Sequence, residues 1–368
     1  MNIVIFSNGN SIFTFEYIKN VVINYNDSLT LITVPLLKEE YINYYKNNNV
    51  KIIIIPSKKI VRRLFFFFKV LKLKLKKKDI VHVHYPTYKI IETASFINNK
   101  NSKLIVTFWG GDLFLLSNDA AEEMCPYLNK TNYITLASDS LLNKFLEFFP
   151  DIDNDKIKRR YFGSPIIPEI ENLISANDKE KMKRDLQLSL DKKILVLAHN
   201  GQQTQQHPKI IEALTKCSNE IKDKFQIILP LQGVEVDESY IKEIVNLMDK
   251  SGFGYRCYYD RFSNIDVAKL RICADVFINA QSTDALSASM LEHLYTDTVV
   301  INGSWLKYQY LDDNKIKYYR FNNFDDLPNL LDKIKNLRFN QSEHAKIAIE
   351  NILYWPLISK DWHSLYEL

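Results

Sequence analysis

The chain alternates short apolar runs with helical or polar stretches, and it does so twice. In the first series the apolar runs fall at residues 2–7, 29–34, 50–55, 80–84, 103–108, 133–137 and 158–161. In the second they fall at 193–198, 225–230, 255–259, 274–279, 299–301 and 317–320. Runs this short and this continuously apolar belong to strands buried on both faces, and the helical segments between them supply the crossovers that parallel strands need. The pattern predicts an α/β fold of two Rossmann-like, doubly wound domains facing a cleft at the carboxyl ends of their sheets, where such folds bind ligands. A length of 368 residues agrees with two domains.

Between the two series the pattern lapses into Pro165, Pro168 and a charged stretch, the composition of a linker leading into a surface helix. The expected division is 1–165 for the N-terminal domain, 166–190 for the linker and 191–340 for the C-terminal domain. Residues 341–368, with Trp355 and Trp362, read as a helical segment apolar enough to pack back on the N-terminal domain.

Composition narrows the class. With 46% hydrophobic and 25% charged residues the chain can fill two cores. A net charge of +4 does not call for nucleic acid as a partner. Cys125, Cys217, Cys257 and Cys273 form no CxxC pair, so buried thiols in a reducing, cytoplasmic setting are expected. The start lacks a basic n-region, so no secretion signal is expected. No uncharged run reaches the roughly 18 residues of a membrane span.

Residues 279–292 (NAQSTDALSASMLE) follow a strand and open a helix. Amides near Leu286, Ser287 and Ala288 would point out of the helix start, where an anion such as a diphosphate is stabilised. Glu292 lies about five residues further in, roughly 7 to 8 Å along the axis, a suitable reach for a ribose. Asp284 stands just outside the helix on the opposite side of such an anion. The plainer alternative makes Asp284 an N-cap and Glu292 a solvated helix residue.

The loop at 197–209 (LAHNGQQTQQHPK) follows the first strand of the second series. Gly201 would let backbone amides approach an anion, with Asn200, Gln203 and Thr204 as side-chain donors; otherwise the segment is a plain polar loop. Arg261 and Lys209 are the candidate counter-charges for a diphosphate.

In the first series, residues 79–85 (DIVHVHY) place His82 and His84 on one face of a strand. The pair serves a metal, a ligand-facing polar role or core packing; no third metal ligand stands nearby. The next strand runs into Trp109-Gly110-Gly111-Asp112, where two glycines allow a sharp turn that presents Asp112. Asp112 either orients or deprotonates an acceptor hydroxyl or caps the turn. Gly9 and Asn10 sit in the first β/α turn, which lacks the GxGxxG of dinucleotide enzymes; a GxxxxGK[ST] phosphate loop is absent too. Asp151-Ile-Asp153 lies in an acidic loop and reads as surface.

Asp284 and Glu292, spaced Asp-x7-Glu, resemble the Glu-x7-Glu signature of glycosyltransferase family 4. They also look like the Asp-x-Leu-Ser-x-Ser-Met-x-Glu form of O-antigen and related surface-polysaccharide enzymes. The His-Asn-Gly loop with Pro230-Leu-Gln-Gly and Tyr240 is similar to lipid-linked glycan transferases such as the Fuc4NAc transferases. This resemblance implies a GT-B fold and transfer from a nucleotide-diphosphate sugar with no metal and no other cofactor. It assigns Glu292 to the ribose, Asp284 to the donor sugar, Ser287 and Ala288 to the diphosphate, and Asp112 and His84 to the acceptor side with Gly9, Asn10, Trp109, Gly110 and Gly111. The chain departs from the family where an Arg and a Lys would stand near Gly201, and in having Asp for the first Glu.

Residues 58–78 (KKIVRRLFFFFKVLKLKLKKK) hold ten basic residues among phenylalanines and leucines. Arg62, Arg63, Phe66, Lys69 and Lys72 would meet the anionic inner face of the cytoplasmic membrane, so peripheral association is expected; a core helix with solvated lysines and an RNA surface are the alternatives. The reading is a retaining glycosyltransferase of bacterial surface-polysaccharide (O-antigen or capsule) assembly, using a glycan or lipid-linked acceptor. A nucleotide-sugar 2-epimerase and a catalytically silent binding subunit are the competing functions.

Overall fold

In the computed structural model residues 1–56, 73, 75–76, 78–98, 102–176, 178–232, 237–337 and 339–368 are described. They form two compact units, Met1–Gly163 together with Trp355–Leu368, and Ser164–Tyr354. Arg62, Arg63, Phe66, Lys69 and Lys72, the expected membrane-facing residues, lie outside the described residues.

The first unit holds a seven-stranded sheet of β1 (Asn2–Phe6), β2 (Ser28–Thr33), β3 (Lys51–Ile54), β4 (Ile80–His84), β5 (Lys103–Thr107), β6 (Tyr133–Leu136) and β7 (Ile157–Arg159), ordered β3-β2-β1-β4-β5-β6-β7. The second holds β8 (Lys193–Leu197), β9 (Phe225–Pro230), β10 (Gly254–Tyr258), β11 (Val276–Asn279), β12 (Val299–Gly303) and β13 (Tyr319–Phe321), ordered β10-β9-β8-β11-β12-β13. Every pairing is parallel; Ile5, for example, lies opposite Leu31 on one side and His82 on the other. Each apolar run is thus a strand, with ends moved by a residue or two, and the expected α/β architecture of two Rossmann-like sheets is present. In both sheets the strand order reverses beside the first strand, between β1 and β4 and between β8 and β11.

Central strands are mostly apolar because both faces are covered. Leu195, Ile227, Ile278 and Ile301 pack against Ile210, Leu214, Ile244 and Leu331 in the second unit. In the first, Ile3, Ile5, Leu31 and Ile80 meet Tyr17, Tyr45 and Trp362. Trp362 comes from the last helix, Trp355–Glu367, and its indole N–H donates to the Tyr161 carbonyl at 2.7 Å. The preceding helix, Glu343–Leu353, belongs to the second unit.

One expectation needs amendment. The stretch read as a linker is helical over Ile166–Ala176 and Lys179–Asp185, because Ile166, Ile167, Ile170 and Met182 are buried while the charges face water. Between β1 and β2 the chain is α-helical only over Ile12–Tyr17. A π turn (Ile18–Val22) and a 3-10 turn (Ile23–Tyr25) follow, closed by Asn26 in the left-handed region at φ 56°. Among the described residues no helix is long and apolar enough to cross a membrane.

Candidate functional site

At the second unit's switch point, the loops leaving β8 and β11 are tied together. The Ser282 N–H donates to the Thr204 carbonyl at 2.8 Å, Gln205 Nε2 to Gln281 Oε1 at 3.0 Å, and Gln206 Nε2 to the Ala280 carbonyl at 2.7 Å. Beside this junction lies a cavity of about 540 Å³ lined by Gln203, Thr204, Lys209, Tyr240, Glu243 and Ser282, a size that suits a small-molecule ligand. The turn out of β8 is made by Ala198 at φ 60° and the helix entry by Gln206 at φ 57°. Non-glycine residues in that region carry local strain, which concentrates at functional sites.

Gly201 does not do what the sequence suggests. Its φ is not positive, and its N–H donates to the Gln232 carbonyl at 3.0 Å, so that amide is already used. Asn200 turns its Oδ1 back onto the Gln202 N–H, and exposed Gln203 donates to Asp237 at 3.1 Å. Lys209 lies at the cavity, held by Gln206 Oε1 at 2.8 Å and 5.7 Å from the Phe324 ring centre. Arg261 is exposed in the loop after β10 and has no hydrogen-bond or ion-pair partner among the described residues.

Beyond β11, the helix runs Ala288–Tyr295 with Ser287 as N-cap, its Oγ accepting from the Met290 N–H at 3.2 Å. The amides of Ser287, Ala288 and Ser289 have no partner inside the helix, that of Met290 is taken by the cap, and Leu286 precedes the cap. Asp284 accepts a hydrogen bond from the Tyr308 hydroxyl at 2.7 Å, and Tyr308 in turn accepts from Asn279 Nδ2 at 3.2 Å. Burial pushes the Asp284 carboxyl up to about 6, against the lowering effect of Tyr308 and the Ala285 amide.

Glu292 is 4% exposed, so the solvated-helix alternative is excluded. Its carboxylate accepts from Ser164 Oγ at 2.6 Å and from Arg271 Nε at 3.0 Å. A ribose at Glu292 would have to take the place of Ser164. Arg271 also donates to His293 Nε2 at 3.1 Å, which fixes His293 as the neutral Nδ1–H tautomer facing Thr298 at 3.4 Å. Sequence reasoning missed Arg271 and Tyr308: they stand 21 positions before Glu292 and 24 after Asp284, on other elements.

In the first unit, His84 ends β4, 2% exposed, with Nε2 unpartnered; burial lowers its pKa to about 3. His82 and His84 do share a face, their ring centres 4.1 Å apart. His82 Nδ1 meets the Tyr366 hydroxyl at 2.9 Å and Nε2 meets Thr107 Oγ1 at 2.7 Å, so it is locked in a buried chain. Gly110 supplies the sharp turn at φ 142°, ψ −77°, and a Cβ on Gly111 would come within 3.1 Å of the Tyr85 hydroxyl.

Asp112 does not present its carboxylate outward. Its oxygens accept from the Trp109 N–H at 3.0 and 3.1 Å and from the Gly110 N–H at 2.8 Å, while burial raises its pKa to about 6. The capping alternative is the one found. Trp109 stands 4.9 Å from Phe162, edge to face, and 5.4 Å from His84. Gly9 donates its N–H to Thr33 Oγ1 at 2.7 Å, and Asn10 bonds the Pro35 carbonyl at 2.9 Å and the Leu37 N–H at 2.7 Å, so both serve the loop after β2. Among the described residues no group of three or more His, Cys, Asp or Glu side chains could hold a metal ion.

Comparison with known proteins agrees with this architecture. The model of the family described as "Glycosyl transferase 4-like" matches residues 2–139. HepE of Anabaena, crystallised with UDP and glucose, is 14% identical, with 100% of each chain covered and a TM-score of 0.74. A glycosyltransferase from Rickettsia africae is 16% identical, covering 100% of this chain and 97% of that one, TM-score 0.75. Sucrose-phosphate synthase from Thermosynechococcus elongatus is 11% identical, covering 100% and 98%, TM-score 0.71. No curated protein sequence matches the chain. At these identities the likeness shows the fold: two Rossmann-like domains of the GT-B kind.

Proposed function

We propose that the chain is a glycosyltransferase that moves a sugar from a nucleotide-diphosphate sugar to a glycan or lipid-linked glycan, in bacterial surface-polysaccharide assembly and with retention of configuration. The observation that carries this reading is the second unit's switch point: two loops bonded to each other beside a cavity of about 540 Å³, the loop after β11 carrying a carboxyl held by Tyr308 and then a capped helix start. The match of residues 2–139 to a glycosyltransferase family supports it from the other unit.

In this reading the first-turn amides of Ala288 and Ser289 meet the diphosphate. Tyr308 and the Ala285 amide orient Asp284 toward the sugar, and its pKa of about 6 lets it exchange a proton near neutral pH. His84, too weak a base at about 3 to take a hydroxyl proton, orients the acceptor through its unpartnered Nε2. Asp112 shapes the turn that holds Trp109. The basic and aromatic composition of residues 58–78 supports contact with an anionic membrane, where a lipid-linked acceptor would reside.

Thermal unfolding with UDP, GDP, dTDP and CMP tests the donor assignment, UDP first because crystals of HepE hold it. A nucleotide present at 100 times its Kd should stabilise the chain by about 2.7 kcal/mol. Asp284→Asn should keep that shift while losing roughly a hundredfold or more in sugar transfer. If none of the four shifts the transition, the donor site is wrongly placed.

A further inference from the structure

β11 ends in Asn279, and β12 carries Asn302 one residue before its end; the two are register partners in the parallel pair. Both side chains are 0% exposed. A buried amide at the carboxyl end of an otherwise apolar strand is costly unless it is hydrogen-bonded, so two of them opposite each other need a specific explanation.

The direction of each hydrogen bond follows from the backbone outward. Asn302 Nδ2 lies 2.9 Å from the Gly303 carbonyl and 3.0 Å from the Leu306 carbonyl, and both oxygens only accept. That end of the amide is therefore the nitrogen, and Oδ1 is the atom turned to Asn279. Asn279 Nδ2 donates to this Oδ1 at 2.8 Å; a reversed Asn279 amide would set two oxygens against each other there. The second hydrogen on Asn279 Nδ2 goes to the Tyr308 oxygen at 3.2 Å, with Met290 Sδ a weaker acceptor at 3.7 Å. Tyr308, facing an N–H on that side, places its single hydrogen on Asp284 Oδ2 at 2.7 Å. Asn279 Oδ1 has no partner among the described residues, so Asn302 is the group that keeps the Asn279 amide in this sense.

We propose that Asn302 and Asn279 are positioning residues for Asp284. Two backbone carbonyls orient the Asn302 amide, Asn302 orients the Asn279 amide, and Asn279 leaves Tyr308 only the Asp284 carboxylate to donate to. The relay runs one way, from β12 through β11 and the loop after β12 to the loop after β11. With the Asn302 oxygen gone, the Asn279 amide is free to turn over. Its Oδ1 then takes the Tyr308 hydrogen, and Asp284 loses its donor although Tyr308 is intact. Tyr308 and the Ala285 amide are the groups that bond to Asp284, and Tyr318 is the further ionisable group near Tyr308. The role of Asp284 in transfer rests on the donor-site reading above; the relay does not.

Titrating the Asp284 carboxyl by carbon NMR in aspartate-labelled chain tests the relay, with the signal identified by its loss in Asp284→Asn. The comparison is between wild type, Asn302→Leu, Tyr308→Phe and the double variant. A hydrogen bond to the ionised form favours it, so Tyr308→Phe should raise the midpoint by roughly one to two pH units. Asn302→Leu should raise it nearly as far with Tyr308 in place. The double variant should go no further than Tyr308→Phe alone, because both changes remove the same hydrogen bond. A midpoint in Asn302→Leu equal to that of the wild type, or shifts that add in the double variant, overturns the relay. Thermal unfolding shows which variants are folded; where Asn302→Leu is not, Asn302→Ala removes the same oxygen without added bulk. Neutron diffraction of the wild-type chain, above the Asp284 midpoint, reads the Tyr308 hydrogen without any variant: on the Asp284 side the relay stands, on the Asn279 side it falls. A wild-type chain whose unfolding is shifted by none of UDP, GDP, dTDP and CMP overturns the donor-site reading and leaves these relay outcomes as they are.

Discussion

The carboxyl edges of the two sheets have the same topology and opposite chemistry. At the first, most polar groups satisfy one another: Gly9 with Thr33, Asn10 with Pro35 and Leu37, Asp112 with its own turn, and the run Tyr17–Tyr366–His82–Thr107–Thr135 at 2.6 to 2.9 Å between neighbours, with His84 Nε2 left unpartnered. Large apolar side chains are exposed on its loops: Leu37 and Leu115 are each 83% exposed and Phe13 55%. The second unit has more buried polar atoms without a partner among the described residues, His199 Nδ1, Gln205 Oε1, His207 Nε2, Asn279 Oδ1 and Ser289 Oγ among them, and a buried Arg271–Glu292 pair. A fold that repeats its strand order therefore does not repeat the pairing of its polar groups.

The largest effect should come from breaking the buried Arg271–Glu292 pair of the second unit. Glu292→Ala leaves Arg271 buried and unpaired, at a cost of about 3–5 kcal/mol, measurable as a lowered urea midpoint. The double variant Arg271→Met with Glu292→Leu should recover most of that loss, because both charges are then gone. If the single variant is as stable as the wild type, the pair is not a closed one.

Much of the fold was readable in the sequence because strands covered on both faces are apolar along most of their length, as in Ile3–Phe6 and Ile194–Leu197. The sites were readable only where the chemistry is local. The Gly110 turn follows from neighbouring residues, whereas the helix cap offered at Asp284 falls at Ser287. The partners of Glu292 and Asp284 do not, since Arg271 and Tyr308 arrive from other helices and loops. Gly201 misled for a physical reason: glycine is the residue that most easily takes a positive φ, yet Ala198 and Gln206 take it here. Asp112 misled in another way, because an acid after two glycines can bond to the amides its own turn exposes.

A smaller effect should follow from opening the first edge's network. Tyr366→Phe removes the hydroxyl between Tyr17 and His82, leaving His82 Nδ1 only the Tyr17 hydroxyl at 3.4 Å. The expected loss is about 1–3 kcal/mol in urea unfolding. Nucleotide affinity should not change, since the network lies wholly within the first unit. A weakened UDP affinity in this variant would remove the division of labour between the two edges.

The finest contrast is between two acids. Asp112 and Asp284 are both pushed up to about 6, one in each unit, by burial that backbone amides or Tyr308 only partly offset. An unfolded aspartate titrates near 3.9. Between about pH 4 and pH 6 the folded chain therefore holds more protons at these positions than the unfolded chain, and their contribution to stability falls as the pH rises through that window. Other carboxylates add slopes of their own, so the useful quantity is the difference between variant and wild type. Asp112→Asn and Asp284→Asn should each gain stability relative to the wild type as the pH goes from about 4 to about 6, by at most about 1.4 kcal/mol per pH unit, and no further above it. Urea midpoints across that range measure the difference. A pH-independent difference for Asp284→Asn, beside a pH-dependent one for Asp112→Asn, would mean that Tyr308 holds Asp284 ionised and that only the first edge stores a proton.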